Sequence, residues 1–245
     1  MFVVGIGPGG PEHRTFRAVD AIAQSRIVVG YGPYVDAVAD LLEGKQRITS
    51  GMTREVARCR EALRLAASGE TVALVSSGDP GIYGMAGLAL ELAEAEGFCT
   101  HIEIVPGVTA ANAAAAALGA PLMLDFAVIS LSDLLVPWEK ILRRLEAVAA
   151  ADLVVALYNP RSKKRVRQLE EAVAAFRAAR PGHTPVGVVT AAGMADQSLV
   201  QTDLDHVLEQ EIGMRSIVIV GNTSTRRIEG WMVTPRGYLD APEGE

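Results

Sequence analysis

Residues 1–10 read MFVVGIGPGG, an apolar run that breaks into four glycines and one proline within six residues. The reading predicts a strand over 2–6, a tight loop, and then a helix over 15–23. Gly5-Ile6-Gly7-Pro8-Gly9-Gly10 also satisfies G-x-G-x-x-G, the fingerprint of dinucleotide-binding folds. The rest of that fingerprint is missing. A dinucleotide site takes an acid at the end of the following strand, and Ile27-Val28-Val29-Gly30-Tyr31-Gly32 has none before Asp36. Pro8 deletes a backbone N–H from any phosphate cradle, and no G-x-x-x-x-G-K-[ST] follows. P-loop nucleotide binding is therefore excluded, and NAD binding is disfavoured. A class I methyltransferase puts an acid just before its glycine loop, where this chain has Val3-Val4. What the loop approaches has to come from the rest of the chain.

The strand-to-helix alternation recurs. Further strands are predicted at 27–30, 72–76, 102–105, 127–131, 153–158, 186–190, 217–220 and 232–234. Most are β-branched and continuous, the pattern of parallel strands covered on both faces. Residues 54–67 space Val56, Cys59, Leu63 and Ala66 for one helix face. The fold class is α/β. Val105-Pro106-Gly107 ends a strand, Thr109 is placed to cap an alanine-rich helix, and Gly119-Ala120-Pro121 stops it. A fresh series then starts at Ala127. A boundary near 114–122 divides the chain into α/β domains 1–117 and 118–245, and the acidic tail 239–245 is expected to fray.

Composition narrows the function. The 245 residues are 49% hydrophobic and 21% charged, with net charge −6. Such a balance speaks against non-specific nucleic-acid binding, although a local basic patch around one anionic substrate stays open. Cys59 and Cys99 form neither a metal-ligand spacing nor a disulfide framework, so no metal is expected and a reducing cytoplasm suits the chain. No stretch approaches the roughly 18 apolar residues of a membrane span. The expectation is a soluble cytoplasmic protein with no membrane partner.

Val75-Ser76-Ser77-Gly78-Asp79-Pro80-Gly81-Ile82-Tyr83-Gly84 follows a predicted strand. Small residues at a strand's carboxyl end let a ligand sit against bare backbone, though Asp79-Pro80 also suits a simple turn or helix start. Combined with Gly5–Gly10 and Pro106-Gly107-Val108-Thr109-Ala110, the stretch resembles the tetrapyrrole methylase superfamily, two-domain α/β enzymes that use S-adenosylmethionine (SAM) in an interdomain cleft. In the second half stand Ile129-Ser130-Leu131-Ser132-Asp133-Leu134-Leu135 and Pro137-Trp138-Glu139. After them come Tyr158-Asn159-Pro160-Arg161-Ser162, Val220-Gly221-Asn222 and Thr234-Pro235-Arg236-Gly237-Tyr238. Together these narrow the resemblance to the C17-methyltransferases of cobalamin biosynthesis, which act on precorrin-3B or on cobalt-factor III.

The resemblance implies SAM contacts from Pro8, Ser77, Gly78, Asp79, Ile82, Tyr83, Thr109 and Ala110, and from Tyr158, Asn159, Ala192 and Gly193. Asp79 is expected either to favour the cationic sulfonium or to accept a hydrogen bond. Gly9, Arg161 and Arg226 are the candidates to meet the substrate, a tetrapyrrole fringed with acetate and propionate carboxylates. A guanidinium holds a carboxylate bidentately. The cationic run 161–167 is expected to begin a helix, where its charges oppose the macrodipole or form a solvated face. In-line methyl transfer needs no nucleophilic residue, but the family's ring contraction moves protons. Asp125, Ser130, Ser132 and Asp133 are the acid/base candidates, with helix capping as the other reading of Asp133. A histidine acid/base before Asp125-Phe126 is excluded, because Leu124 stands there. The four histidines are expected at the surface, and His13 is set apart from the others because it follows the opening loop. The resemblance further implies a homodimer. The competing readings are a methylase of a translation factor or ribosome, a non-catalytic carrier of corrin intermediates and, third, the dehydrogenase raised by the opening motif.

Overall fold

In the computed structural model β1 (Phe2–Gly5) is the fourth strand of a five-stranded sheet, flanked by β4 (Val72–Ser76) and β5 (Glu103–Val105). The structure describes residues 1–239, so the acidic tail beyond Leu239 lies outside the described residues. Two compact units are present. The first is Met1–Ala110 with Gly193–Ala195, and the second is Ala111–Ala192 with the chain from Asp196 onward.

The first unit adds β2 (Ile27–Tyr31) and β3 (Gln46–Ser50), with α1 (Phe16–Gln24), α2 (Gly32–Asp36), α3 (Glu55–Ala67) and α4 (Ala86–Ala95). Sheet order is β3-β2-β4-β1-β5, and every neighbouring pair is parallel. Alternate residues of each strand bury on opposite faces. Val3, Val29 and Leu74 pack with Cys59 and Leu63 of α3 and Ala86 and Ala89 of α4. Val4, Val28 and Val75 pack with Ala18, Ala21 and Ile22 of α1 and with Val35 of α2. This two-sided cover is why the central strands read as unbroken apolar runs. Thr15 caps α1, its hydroxyl accepting the Ala18 N–H at 3.1 Å. On α3 the buried stripe is Arg58, Cys59, Ala62, Leu63 and Ala66. Val56, expected on that stripe, is 47% exposed, because it lies in the first turn and the sheet meets the helix one turn later.

The topology locates a ligand crevice. Chain leaving β1 runs to α1 on one face, and chain leaving the adjacent β4 runs to α4 on the other. Open α/β sheets bind ligands at such switch points, beyond the carboxyl ends of the strands. The loops at 6–10 and 77–84 stand there.

In the second unit, which takes α5 (Ala110–Leu118) from its second residue onward, the chain leads through β6 (Gly119–Ala120) to β7 (Phe126–Ser130), α6 (Trp138–Ala150), β8 (Val154–Tyr158) and α7 (Arg167–Ala179). Next come β9 (Pro185–Thr190), β10 (Ser198–Asp203), β11 (Ser216–Val220), β12 (Arg226–Ile228) and β13 (Trp231–Val233). The main sheet has the order β10-β9-β11-β8-β7, and a small sheet pairs β12-β13-β6. Here the expectation of parallel strands is corrected. In the main sheet only β7 and β8 run parallel, while β11 is antiparallel to both β8 and β9, and β9 to β10. All five residues of β11 are buried, so its continuous apolar run reports cover on both faces and carries no information on direction. Leu145, Leu157, Leu169, Phe176 and Val218 form the core beneath α6 and α7. On the other face Leu118 of α5 lies flat on Gly187, where an added Cβ would stand 2.3 Å from its Cδ1.

Candidate functional site

Four loops of the first unit meet through backbone contact, and their glycines make that contact possible. A Cβ on Gly5 would stand 2.7 Å from the Gly78 carbonyl oxygen and 2.8 Å from the Gly107 nitrogen. Gly7 and Gly78 exchange backbone hydrogen bonds at 3.2 and 2.8 Å, so the loops after β1 and β4 pair like a fragment of sheet. Gly10 donates its N–H to the Gly193 carbonyl at 3.1 Å, which draws the 193–195 segment against the opening loop. The opening glycines thus serve close backbone packing.

Asp79 ties two of these loops together. Its Oδ1 accepts the Gly81 N–H at 2.8 Å and its Oδ2 accepts the Gly107 N–H at 3.0 Å. Both oxygens are therefore engaged by main chain. Around this knot the structure gathers Pro8, Gly78, Thr109, Ala110 and Gly193. Cβ positions on Gly78 and Gly193 would lie 3.7 Å from Ala110 N and 3.3 Å from Pro8 Cγ, respectively. Ser77 is half-buried. Ile82 and Tyr83 are 40% and 56% exposed, an apolar pair standing in the open beside a glycine loop. His13 is half-buried with its ring beside Gly193, and Glu12 Oε1 lies 3.5 Å from its Nδ1.

In the second unit, Ser130 and Tyr158 are register partners at the ends of β7 and β8. The Tyr158 hydroxyl accepts the Ala111 N–H at 2.9 Å. Ser130 Oγ accepts from Asn159 Nδ2 at 3.0 Å and from the Ser132 N–H at 3.2 Å, so Ser130, Ser132 and Asn159 form one polar cluster. Asp133 is exposed and accepts from Gln168 Nε2 at 2.8 Å. It caps no helix, since α6 starts after Pro137 without a side-chain cap. Asp125 is exposed and precedes β7, at the end opposite Ser130. Five strand residues at about 3.3 Å each separate the two by roughly 16 Å, so the four acid/base candidates do not converge.

Contrary to the expectation from sequence, the cationic run does not begin a helix. Residues 159–166 form a loop and α7 starts only at Arg167. Asn159 is left-handed at φ 49°, Pro160 follows, and Ser162 and Arg165 close a turn through the 2.9 Å bond from Ser162 N–H to the Arg165 carbonyl. Arg165 Nη2 then donates back to the Asn159 carbonyl at 2.8 Å. Only Arg167 meets the helix terminus, and it pairs with Glu171 at 3.0 Å. Arg161 is half-buried in this loop, Arg226 is exposed on β12, and Ala192 is buried. Six non-glycine residues hold left-handed φ among the described residues: Tyr83, Asn159 and Ala191 stand at or beside candidate residues, and Thr53, Asp152 and Glu229 do not. Left-handed backbone at non-glycine residues costs about 1–3 kcal/mol and concentrates at functional sites.

Sequence reasoning passed over Arg58, which is 6% exposed on the buried stripe of α3. The available signal was its position, i−1 to Cys59 and i−4 to Ala62, on a face that otherwise carries only apolar residues.

The family profile described as Tetrapyrrole (Corrin/Porphyrin) Methylases matches residues 1–208. The chain belongs to that family. A cobalt-factor III methyltransferase of Priestia megaterium is 47% identical over 242 residues, covering 97% of this chain and 45% of its own length. This chain therefore spans about half the length of that relative. A precorrin-3B C(17)-methyltransferase of a Sinorhizobium species is 40% identical and matches 99% of this chain and 98% of its own. The crystal structure of the methyltransferase CobJ superposes with a TM-score of 0.91 at 39% identity, over 96% of this chain and 98% of the other.

Proposed function

We propose that this chain methylates C17 of precorrin-3B with SAM and contracts the ring, a step of cobalamin biosynthesis. The observation that carries the reading is the knot of four glycine-bearing loops at the β1/β4 switch point, in a chain of the tetrapyrrole methylase family. Exposed Ile82 and Tyr83 beside bare backbone at Gly78 fit a ligand with a flat apolar face and little room for protein side chains. SAM supplies an activated methyl on its sulfonium, so the protein's work is to hold and orient. Pro8, Ser77, Gly78, Ile82, Tyr83, Thr109, Ala110, Tyr158, Asn159, Ala192 and Gly193 bind it in this proposal. Asp79 fixes the two loops, and its carboxylate charge lies beside them. Orientation of two bound reactants supplies roughly 7–11 kcal/mol of a barrier in good cases.

For the proton movements of ring contraction, the polar cluster Ser130–Ser132 with neighbouring Asp133 is the proposed centre, and Asp125 stands apart from it. Gly9, Arg161 and Arg226 are proposed to meet the macrocycle, Arg161 as a carboxylate clamp. We further propose a homodimer, checked by light scattering, and a cytoplasmic setting. Among the described residues no helix is long and apolar enough to cross a membrane.

Cobalt-factor III is the second reading, favoured by the 47% identity to a relative of that name. The test is incubation with methyl-labelled SAM and each macrocycle, followed by mass analysis. One added methyl and a contracted ring in either product is the expected result. Bound macrocycle without label assigns a carrier, and no binding at all rejects the reading.

A further inference from the structure

The first unit contains a cavity of about 300 Å³ between the carboxyl ends of β2 and β3 and the first two turns of α3. Val29, Ile48 and Ala57 give it apolar walls, and Arg54, Arg58 and Glu61 supply its charges. Arg58 is the unusual member. Its Nε donates to Ser50 Oγ at 2.8 Å, its Nη2 to the Gly51 carbonyl at 2.9 Å, and its Nη1 reaches Met85 Sδ at 4.0 Å. The Tyr31 ring lies 5.9 Å below the guanidinium carbon, a cation–π distance. These contacts fix the guanidinium plane and use three of its five N–H groups, leaving two.

A buried charge is costly without a counter-charge. Two other arginines of this protein with buried side chains have one. Arg14 pairs with Asp40 at 2.7 Å, and Arg180 has Asp152 at 3.5 Å. Among the described residues no carboxylate pairs with Arg58 or with Arg54. The acid that lines the cavity, Glu61, is engaged at both oxygens by Arg64, at 2.7 and 2.9 Å. The cavity thus presents an oriented, uncompensated guanidinium and a second cation at its rim, inside apolar walls. That combination fits an anion carried on a short hydrocarbon arm. Phosphate, which brings no apolar arm, would leave the Val29, Ile48 and Ala57 walls unused.

We propose that this cavity is a carboxylate-arm subsite, in which Arg58 binds one acetate or propionate group of the macrocycle and Arg54 closes over it. The proposal rests on the tetrapyrrole reading above and names a recognition element within it. Arg58 takes no part in proton or methyl transfer.

Uroporphyrin III, which carries acetate and propionate arms, serves as the probe, titrated by its own fluorescence, with S-adenosylhomocysteine titrated in parallel by calorimetry. Losing a charge-assisted bidentate contact weakens binding by roughly 10- to 100-fold. Arg58→Lys keeps the charge and loses the fork, and exposed Arg54→Ala leaves the fold alone. Both are expected to weaken uroporphyrin III binding, Arg58→Lys the more, with S-adenosylhomocysteine affinity unchanged. Wild-type affinity for uroporphyrin III in both variants overturns the subsite while leaving the tetrapyrrole reading intact. Parallel loss of both ligands in both variants overturns it as well, since Arg58 is then a structural residue. If the wild-type chain binds no tetrapyrrole, the functional reading falls, and this proposal with it.

Discussion

The carboxylate of Asp79 accepts the Gly107 N–H at 3.0 Å, joining the loop that leaves β4 to the loop that leaves β5. Its other oxygen holds Gly81 at 2.8 Å, so one side chain sets the shape of two candidate cofactor loops. Asp79→Ala strips acceptors from two N–H groups, at a cost of about 1–3 kcal/mol for each left unpaired. The expected outcome is a urea midpoint shift of that order together with weaker S-adenosylhomocysteine binding in calorimetry. Asp79→Asn, which keeps one acceptor, is expected to fall between.

Gly9 touches the 193–195 segment so closely that an added Cβ would stand 1.8 Å from the Gly193 carbonyl oxygen. That neighbour is backbone and cannot rotate away. Gly9→Ala is therefore expected to push the segment off the opening loop. Overpacking of this kind costs about 1–3 kcal/mol. A lowered melting temperature and a loss of S-adenosylhomocysteine affinity check it. Full retention of both would mean the two loops do not need each other.

The two thiols differ in reactivity. Burial pushes Cys59 up to about 11, whereas Cys99 is exposed. At pH 8 the native protein is expected to react with a thiol reagent at one cysteine quickly and at the second only on unfolding. Mass spectrometry of the labelled peptides assigns each site.

His206 and Asp203 lie 2.7 Å apart at the end of β10, where hydrogen bonding to Asp203 raises the imidazole above its ordinary value. Asp203 is held below the ordinary carboxylate value by the side chain and N–H of His206, against an opposing desolvation. The histidine's contribution is complete below its unfolded pKa and is lost as pH rises through the raised folded value. The aspartate's is complete above its unfolded pKa and is lost as pH falls through the lowered one. NMR titration of His206 should show the raised midpoint, and Asp203→Asn should bring it down.

Much of the fold was legible because the strands at 2–5, 72–76, 154–158 and 216–220 are buried on both faces, and burial writes itself into the sequence as β-branched runs. The edge strands β5 and β7 were legible, but the exposed edges β3 and β12 were not. β3 reads QRITS and β12 reads RRI, and both expose most of their residues, so they carry no apolar pattern to find. Strand direction was equally hidden, because a residue covered on two faces makes the same apolar demand whichever way its neighbours run.

The candidate site divides in the same way. Sequence alone determined that small residues stand at the ends of β1, β4 and β5, since glycine, serine and proline are themselves the condition for close approach. Only the tertiary structure decided what those residues approach: Gly5 meets Gly78 and Gly107, Gly9 meets Gly193, and Asp79 spends both oxygens on main chain. It also separated Asp125 from Ser130 and turned the cationic run at 161–166 from helix into loop. Arg58 belongs largely to the second kind. Its place on the apolar stripe of α3 is visible in the sequence, but its unpaired charge exists only because β2, β3 and α3 close around it while no carboxylate of the described residues pairs with it.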